Sequence, residues 1–371
     1  MPNPVFYFPI PNRRDHSSNC GSGICVGIFL ILLVTSISLY CLTNFDFSSL
    51  EELVNKHTIL FQEQGEIREA FNAFVEKFGK EYASKKEYEK RYKIFSDNYK
   101  FIQNHNQHNQ DFTLGINRFT DMTREEFKKF AGKSKVSSIP NLKEAEMINS
   151  IADPIIDWDT KGYVSPVKYQ DLCGSCWAFS AIGAVESLHA IKTGSVHNVM
   201  QYSEQELVDC SDNYGDMGCD GGFMTYAFHY IKDKGISKES EYPYEGRDDT
   251  CRKKSNSFQI NGYVTVPANN NDQLLAALNI EPVSVTVEAD EWTWQMYDGG
   301  IVTKDCGTDI NHGVLLVGSG HDNTKNLDFW RIKNSWGTDW GENGYIRLKR
   351  QSGMGPGICG VAIATFYHTS A

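Results

Sequence analysis

Positive charge is scarce in this 371-residue chain, where 36 Lys and Arg stand against 47 Asp and Glu for a net charge of −11. With no basic face to neutralise phosphates, nucleic acid is not an expected partner. Cysteine is missing from the whole stretch between Cys41 and Cys173. No second C-x-x-C accompanies Cys173-Gly-Ser-Cys176, and no histidine pair follows at finger spacing, which weakens both a redox pair and half a zinc site. No metal or cofactor is therefore expected. An Asn-x-Ser/Thr sequon is also lacking, so glycosylation lends nothing to a secretory assignment. The composition, 40% hydrophobic and 22% charged, excludes disorder and collagen-like repeats as descriptions of the whole. The length points to about two or three folding units.

What is present is unevenly placed. Residues 51–152 hold 17 basic against 16 acidic side chains, and residues 153–371 hold 17 against 29, so the acidity sits in the C-terminal part. Seven of the ten cysteines are there too, an odd number: in an oxidising compartment three bridges leave one thiol over. From Ile24 to Thr43 run twenty residues without charge, enough to cross about 30 Å of hydrocarbon as a helix. Arg13 and Arg14 precede the run; Asp46, Glu51 and Glu52 follow it. The positive-inside rule then gives a cytosolic tail (1–23), a transmembrane signal anchor (24–43) and a lumenal or extracellular remainder, a single-pass type II membrane protein. An unusually long cleaved signal peptide is the alternative.

Residues 51–108 are polar, with apolar positions at helical spacing, Ile67, Ala70, Phe71, Phe74 and Phe78, then Tyr88, Tyr92, Phe95, Tyr99 and Ile102. Two amphipathic helices are expected, the first closing at Gly79. On the second, Glu87, Arg91, Phe95, Asn98, Ile102 and Asn106 recur at steps of three and four and share one side of the cylinder. Residues 131–152 lack periodicity and read as an exposed, cleavable connector. From Cys176 onward Ala178, Phe179, Ile182, Val185, Leu188 and Ile191 keep helical spacing until Gly194, so Cys176 stands at a helix N-terminus, where peptide dipoles favour a thiolate. His312 directly precedes an apolar strand, and Asn334 follows another.

These residues carry a resemblance. The six helix positions match the ERFNIN signature of the pro-segments of papain-like cysteine proteases. Gly115, Asn117, Phe119 and Asp121 match the G-x-N-x-F-x-D motif of the same segments. CGSCWAF, with His312 and Asn334 136 and 158 residues beyond Cys176, resembles the catalytic set of that family, closest to its cathepsin L-like members. The resemblance implies an inhibitory pro-segment (44–152) whose tail runs backwards through the cleft, and a mature protease domain (153–371). It implies Cys176 as nucleophile, His312 as its ion-pair partner and general acid, Asn334 as the group orienting the imidazole, and Gln170 as an oxyanion donor. Trp336 resembles the indole that shields the Asn-His bond; Trp340 reads equally well as packing.

The family pattern pairs Cys173 with Cys219, Cys210 with Cys251 and Cys306 with Cys359, one of fifteen possibilities that spacing alone leaves open. SEQE from Ser203 to Glu206 reads as a capping box, and SVTV, HGVLLVG, FWRIK and GYIRLK read as strands. The fold class is thus α+β: a papain-like two-domain fold, helical left domain and β-barrel-like right domain with the cleft between, preceded by a helical pro-domain and one transmembrane helix. By the same mapping Gly221 and Gly222 admit an extended substrate backbone, while Phe223, Met224, Thr286, Ile310 and Ala364 form an apolar pocket that prefers Leu or Phe at the second residue before the scissile bond. Two departures stand out: Asp171 and Leu172 replace the family's Gly-x after the oxyanion Gln, and Tyr169 replaces a common Asn. The resemblance implies polypeptide substrates, the pro-segment as intramolecular inhibitor, cystatin-like protein inhibitors and a monomeric mature form. A pro-segment of charge +1 on a mature part of −12 suggests activation below about pH 5.5, in a lysosome-like or digestive compartment or outside the cell. A non-catalytic relative acting as a binding protein, and a structural membrane protein, are the competing readings; the second leaves the chemical constellation unexplained.

Overall fold

The structure is a computed structural model describing residues 47–109, 111–131, 147–150, 152–253 and 255–368. The apolar run 24–43, most of the connector and the path of the pro-segment's tail lie outside the described residues. Among the described residues no helix is long and apolar enough to cross a membrane. The chain divides into two compact units, one up to Tyr92 and one from Lys93 onward.

The first unit holds helix α1 (Phe47–Lys77) and the start of α2 (Lys85–His108). Gly79, at φ +58°, makes the left-handed turn that α1's end requires. Phe71 is the centre of an aromatic cluster, edge-on to Tyr88 and Tyr92 at 5.3 Å each, with the Arg68 guanidinium 3.6 Å above the Tyr92 ring. Glu87 and Arg91 pair along α2 at 2.7 Å, the i,i+4 contact their spacing predicts.

The second unit has a helical half and a β-rich half. In the helical half, α4 (Cys176–Thr193) is apolar nearly all round and buried along most of its length, as a central helix must be. Around it pack α5 (Glu204–Cys210) and α6 (Met224–Lys234). The β-rich half contains β2 (Ile156–Asp157), β3 (Tyr263–Thr265), α7 (Asn271–Leu278), β4 (Val283–Val287), α8 (Trp292–Gln295), β5 (Tyr297–Val302), β6 (His312–Asp322), β7 (Leu327–Lys333), β8 (Tyr345–Lys349) and β9 (Thr365–His368). With β1 (Phe112–Leu114) at one edge, the sheet order is β1-β5-β8-β7-β6-β4-β9-β3, and β2 pairs with β6. Strands β4 and β6 are buried on both faces because α4 lies across them: the Ser180 hydroxyl donates to Val314 O and the Ser284 hydroxyl donates back to Ser180 O.

One local expectation changes. Ser203 caps α5 by accepting the Glu206 N–H at 2.9 Å, but the reciprocal arm of the capping box is not made. The Glu206 carboxylate instead accepts from Tyr230, the Ser237 N–H and Lys253, while the Ser203 N–H donates to Ser237 O.

Candidate active site

Cys176 is the first residue of α4 and is buried, outside the three disulfides. Its N-cap, Ser175, makes no side-chain cap bond, because its hydroxyl meets the Tyr244 hydroxyl at 2.6 Å; the dipole of an 18-residue helix therefore points at the thiol without a capping oxygen in between. The disulfides join Cys173 to Cys219, Cys210 to Cys251 and Cys306 to Cys359. The first ties the loop before Cys176 to the loop that carries Gly221 and Gly222, and Gly174 N–H donates to Cys219 O in the same place.

His312 opens β6 opposite Val287 on β4. Its neighbour Gly313 is tightly packed, since a Cβ there would lie 3.2 Å from Met224 Sδ and 3.3 Å from Trp177 Cα. That close approach brings the Gly313 N–H, one residue after His312, to 3.4 Å from Cys176 Sγ. His312 Nε2 lies 2.8 Å from Asn334 Oδ1. The Asn334 oxygen also accepts the Ser335 N–H at 2.8 Å, which fixes the carboxamide's orientation and makes Nε2 the donor. The other imidazole nitrogen, Nδ1, is buried with no hydrogen-bond partner among the described residues. The Trp336 indole lies over the imidazole with ring centres 4.8 Å apart, keeping water from the His-Asn bond.

Gln170 is fully buried two residues after a half-buried lysine. Its Oε1 accepts the Ser335 hydroxyl at 2.7 Å and its Nε2 donates to Cys173 O at 2.9 Å, leaving the second amide proton for another acceptor. The backbone of Gln170 is held as well, donating to Ser335 O and accepting from the Tyr244 hydroxyl at 2.7 Å. Ser335 thus ties together the two carboxamides, and nothing in the motif reading singled it out; its position between Asn334 and Trp336 was the available clue. Beneath these residues is an ionic cluster. Lys168 donates to Glu186 at 2.9 Å and Glu204 at 2.7 Å; burial would lower its pKa, but the two carboxylates outweigh that and hold it up as a cation. Lys333, buried and donating to the Ser165 hydroxyl, is pushed down to about 8 by burial.

Gly221 has φ +122°, and a Cβ on Gly222 would come within 2.6 Å of the Trp177 indole and 2.4 Å of Asp216 Oδ1, so packing against α4 demands glycine there in addition to any ligand. Phe223, Met224 and Ala364 are buried in one apolar cluster, with Ile310 half-buried against it. Thr286 joins them through its hydroxyl, which donates to Ala364 O at 3.3 Å.

The residues before the connector cover this centre from one side. β1 pairs antiparallel with β5, Asn117 Nδ2 donates to Gln295 O, and Gln295 Nε2 donates to Phe119 O and Met122 O. Phe119, with Phe127 and Phe130 of α3 (Arg124–Ala131), surrounds the Trp336 indole at 5.6, 5.4 and 5.7 Å.

A cysteine at a helix N-terminus, an imidazole locked by a carboxamide and a buried amide donor, under an aromatic lid from the preceding chain, define a cysteine protease carrying its own inhibitor. Comparison with known proteins agrees. The papain family cysteine protease model matches residues 152–369, and the cathepsin propeptide inhibitor domain (I29) matches residues 71–127. A senescence-specific cysteine protease of Oryza sativa subsp. japonica is 42% identical over 306 residues, covering 80% of this chain and 88% of that one. The cysteine protease XCP2 of Arabidopsis thaliana is 39% identical over 342 residues, covering 90% and 93%. Among solved structures, digestive procathepsin L 3 of Tenebrio molitor larval midgut superposes with a TM-score of 0.74 at 38% identity, over 82% of this chain and 99% of that one. The chain belongs to the papain family of cysteine proteases and has the papain-like α+β fold with an inhibitory pro-segment.

Proposed function

We propose that Cys176 and His312 form the reactive thiolate-imidazolium pair of this protease. The observation that carries the assignment is the His312 Nε2–Asn334 Oδ1 bond, which leaves Nδ1 to exchange its proton at Cys176. The thiolate attacks a peptide carbonyl carbon, and the oxyanion is stabilised by the second Gln170 amide proton and the Cys176 N–H. As the C–N bond breaks, His312 gives its proton to the leaving amine. Water, deprotonated by the now neutral imidazole, then cleaves the thioester and regenerates the thiol.

The maturation point is near residue 152, and residues 153–371 act as the mature monomer. The apolar set Phe223, Met224, Thr286, Ile310 and Ala364 supports a preference for Leu or Phe at the second residue before the cleaved bond, and cystatin-like proteins would compete for the same cleft. The 24–43 run supports a membrane anchor with the protease on the lumenal or extracellular side, working in an acidic compartment. The test is to incubate residues 51–371 at about pH 5 with a mild reductant and follow Leu-Arg and Arg-Arg fluorogenic peptides beside Cys176→Ala. Leu-Arg turnover appearing with the mature mass and absent from Cys176→Ala is the expected result. Turnover that survives in Cys176→Ala, or that favours Arg-Arg, overturns the nucleophile or the pocket respectively.

A further inference from the structure

Asp216 is a buried acid with no part in the chemistry described so far. It lies in the loop between α5 and α6, and no ion pair joins it to any cation among the described residues. Its Oδ1 accepts the Phe223 N–H at 2.8 Å, and its Oδ2 lies 2.8 Å from Ser211 Oγ. Ser211 Oγ in turn lies 2.7 Å from Leu207 O. Two oxygen-oxygen contacts of that length each need a proton between them, and the serine hydroxyl supplies one. The second is supplied when Asp216 carries it.

We propose that Asp216 is held as the neutral carboxylic acid, donating to Ser211 while accepting from Phe223, and so positions the backbone of the Gly221–Met224 substrate wall. In that state Ser211 donates to Leu207 O, every oxygen in the chain is served, and no charge is buried. Ionisation would remove the proton between Asp216 and Ser211 and put an unpaired charge 2.4 Å from where any Cβ on Gly222 would stand, against the Trp177 indole. The titratable groups on the packed elements are Glu204, Glu206 and Asp209 on α5, Asp212 and Tyr214 in the turn after it, Asp220 and Asp248 in the neighbouring loops, Tyr226, His229, Tyr230, Lys232, Asp233 and Lys234 on α6, and Cys176, Glu186, His189 and Lys192 on α4. The cations among them, Lys232, Lys234 and Lys192, stand in the last turns of α6 and α4, at the opposite ends from Phe223 and Trp177. Burial pushes the Asp216 carboxyl up to about 8, in agreement with the proton count. The consequence is a loss of substrate affinity on the alkaline side that is separate from the titration of the catalytic pair.

The proposal rests on the assignment of Gly221–Met224 to substrate binding, and the test separates the two. Asp216→Asn reproduces both hydrogen bonds of the neutral acid, Oδ1 accepting and Nδ2 donating, and cannot ionise. With acid-processed full-length protein, wild-type KM for a Leu-containing peptide is expected to rise about tenfold from about pH 6 to about pH 9, with kcat following its own profile. Asp216→Asn should match the wild type at the acid end and keep its KM flat. An Asp216→Asn profile parallel to the wild type's, or a large KM defect at acid pH, overturns the positioning role. The proton itself is read on the unprocessed chain by infrared spectroscopy: a protonated-carboxyl C=O band present at neutral pH and missing in Asp216→Asn is expected, and its absence from the wild type overturns the proposal whatever the activity. A wild type without turnover would count against the protease assignment, while that band would still decide the protonation of Asp216.

Discussion

Asp171 stands where papain-like chains usually have glycine, and it adopts φ +55°, the left-handed conformation that glycine takes freely. Asp is among the few residues that visit this region at a cost of about 1 kcal/mol, so the turn before the nucleophile is preserved and Gln170 stays in place. Asp171→Gly is therefore expected to leave kcat/KM within about twofold, whereas the β-branched Asp171→Val, which tolerates positive φ poorly, should lower kcat by about tenfold or more. Ser335 offers a second test at this scale. Ser335→Ala removes the donor that orients the Gln170 carboxamide, so kcat should fall by about tenfold with KM little changed, because the loss is felt as the oxyanion forms. Asp216 gives a third, read as stability. Its folded pKa, raised to about 8, lies above the unfolded carboxyl's, so the unfolded chain ionises first and stability falls as pH rises from about 4 toward 8. Asp216→Asn should melt level with the wild type near about pH 4 and be more stable by about 2–4 kcal/mol near about pH 7, a difference checked by thermal unfolding at the two pH values. The side chains proposed to react were legible because each belongs to a local run, CGSCWAF, INHG or KNSWG. Ser335 and Asp216 were not, since their roles depend on which groups the fold brings to them from 165 and seven residues away.

At the scale of elements, legibility followed length and local signals. α2 and α4 announced themselves by periodicity, and the apolar strands β4, β6, β7 and β8 by their β-branched and aromatic content. β1, β3 and β9 are three or four residues long and owe their strand conformation to a partner across the sheet, which no window on the sequence contains. β1 is the informative case: it is part of the inhibitory segment and extends the enzyme's own sheet beyond β5. The segment's grip then continues through Asn117, whose Nδ2 reaches Gln295 O while its Oδ1 accepts the Phe119 N–H at 2.9 Å. Both bonds are buried, so Asn117→Ala leaves a carbonyl and an amide without partners, a loss of about 1–3 kcal/mol confined to the inhibitory contact. The zymogen carrying it should convert about tenfold faster at a fixed acid pH while the mature enzyme keeps wild-type kcat/KM, which timed gels and peptide assays of the same sample would establish.

For the molecule as a whole, the question is what charge contributes to holding the inhibitor on a domain it fits so closely. Three ion pairs between the inhibitory segment and the protease run the same way: Arg118 to Asp339, Arg124 to Glu291 and Lys128 to Asp290, cations on the segment and carboxylates on the enzyme. Glu288, Asp290 and Glu291 are also gathered within 4.8 Å of one another, so the segment's cations screen a mutual repulsion as well as making pairs. Each exposed pair contributes about 0.2–1 kcal/mol, and three together amount to about one order of magnitude in the closed-to-open ratio. These pairs add to an aromatic and hydrogen-bonded interface that holds most of the energy. Asp290→Asn, Glu291→Gln and Asp339→Asn together should speed processing about tenfold at a fixed pH, and raising the salt should speed the wild type but not this variant. Rates measured by the appearance of the mature mass decide it: a triple variant that converts no faster than the wild type would move the grip away from these pairs and into the segment's own fold.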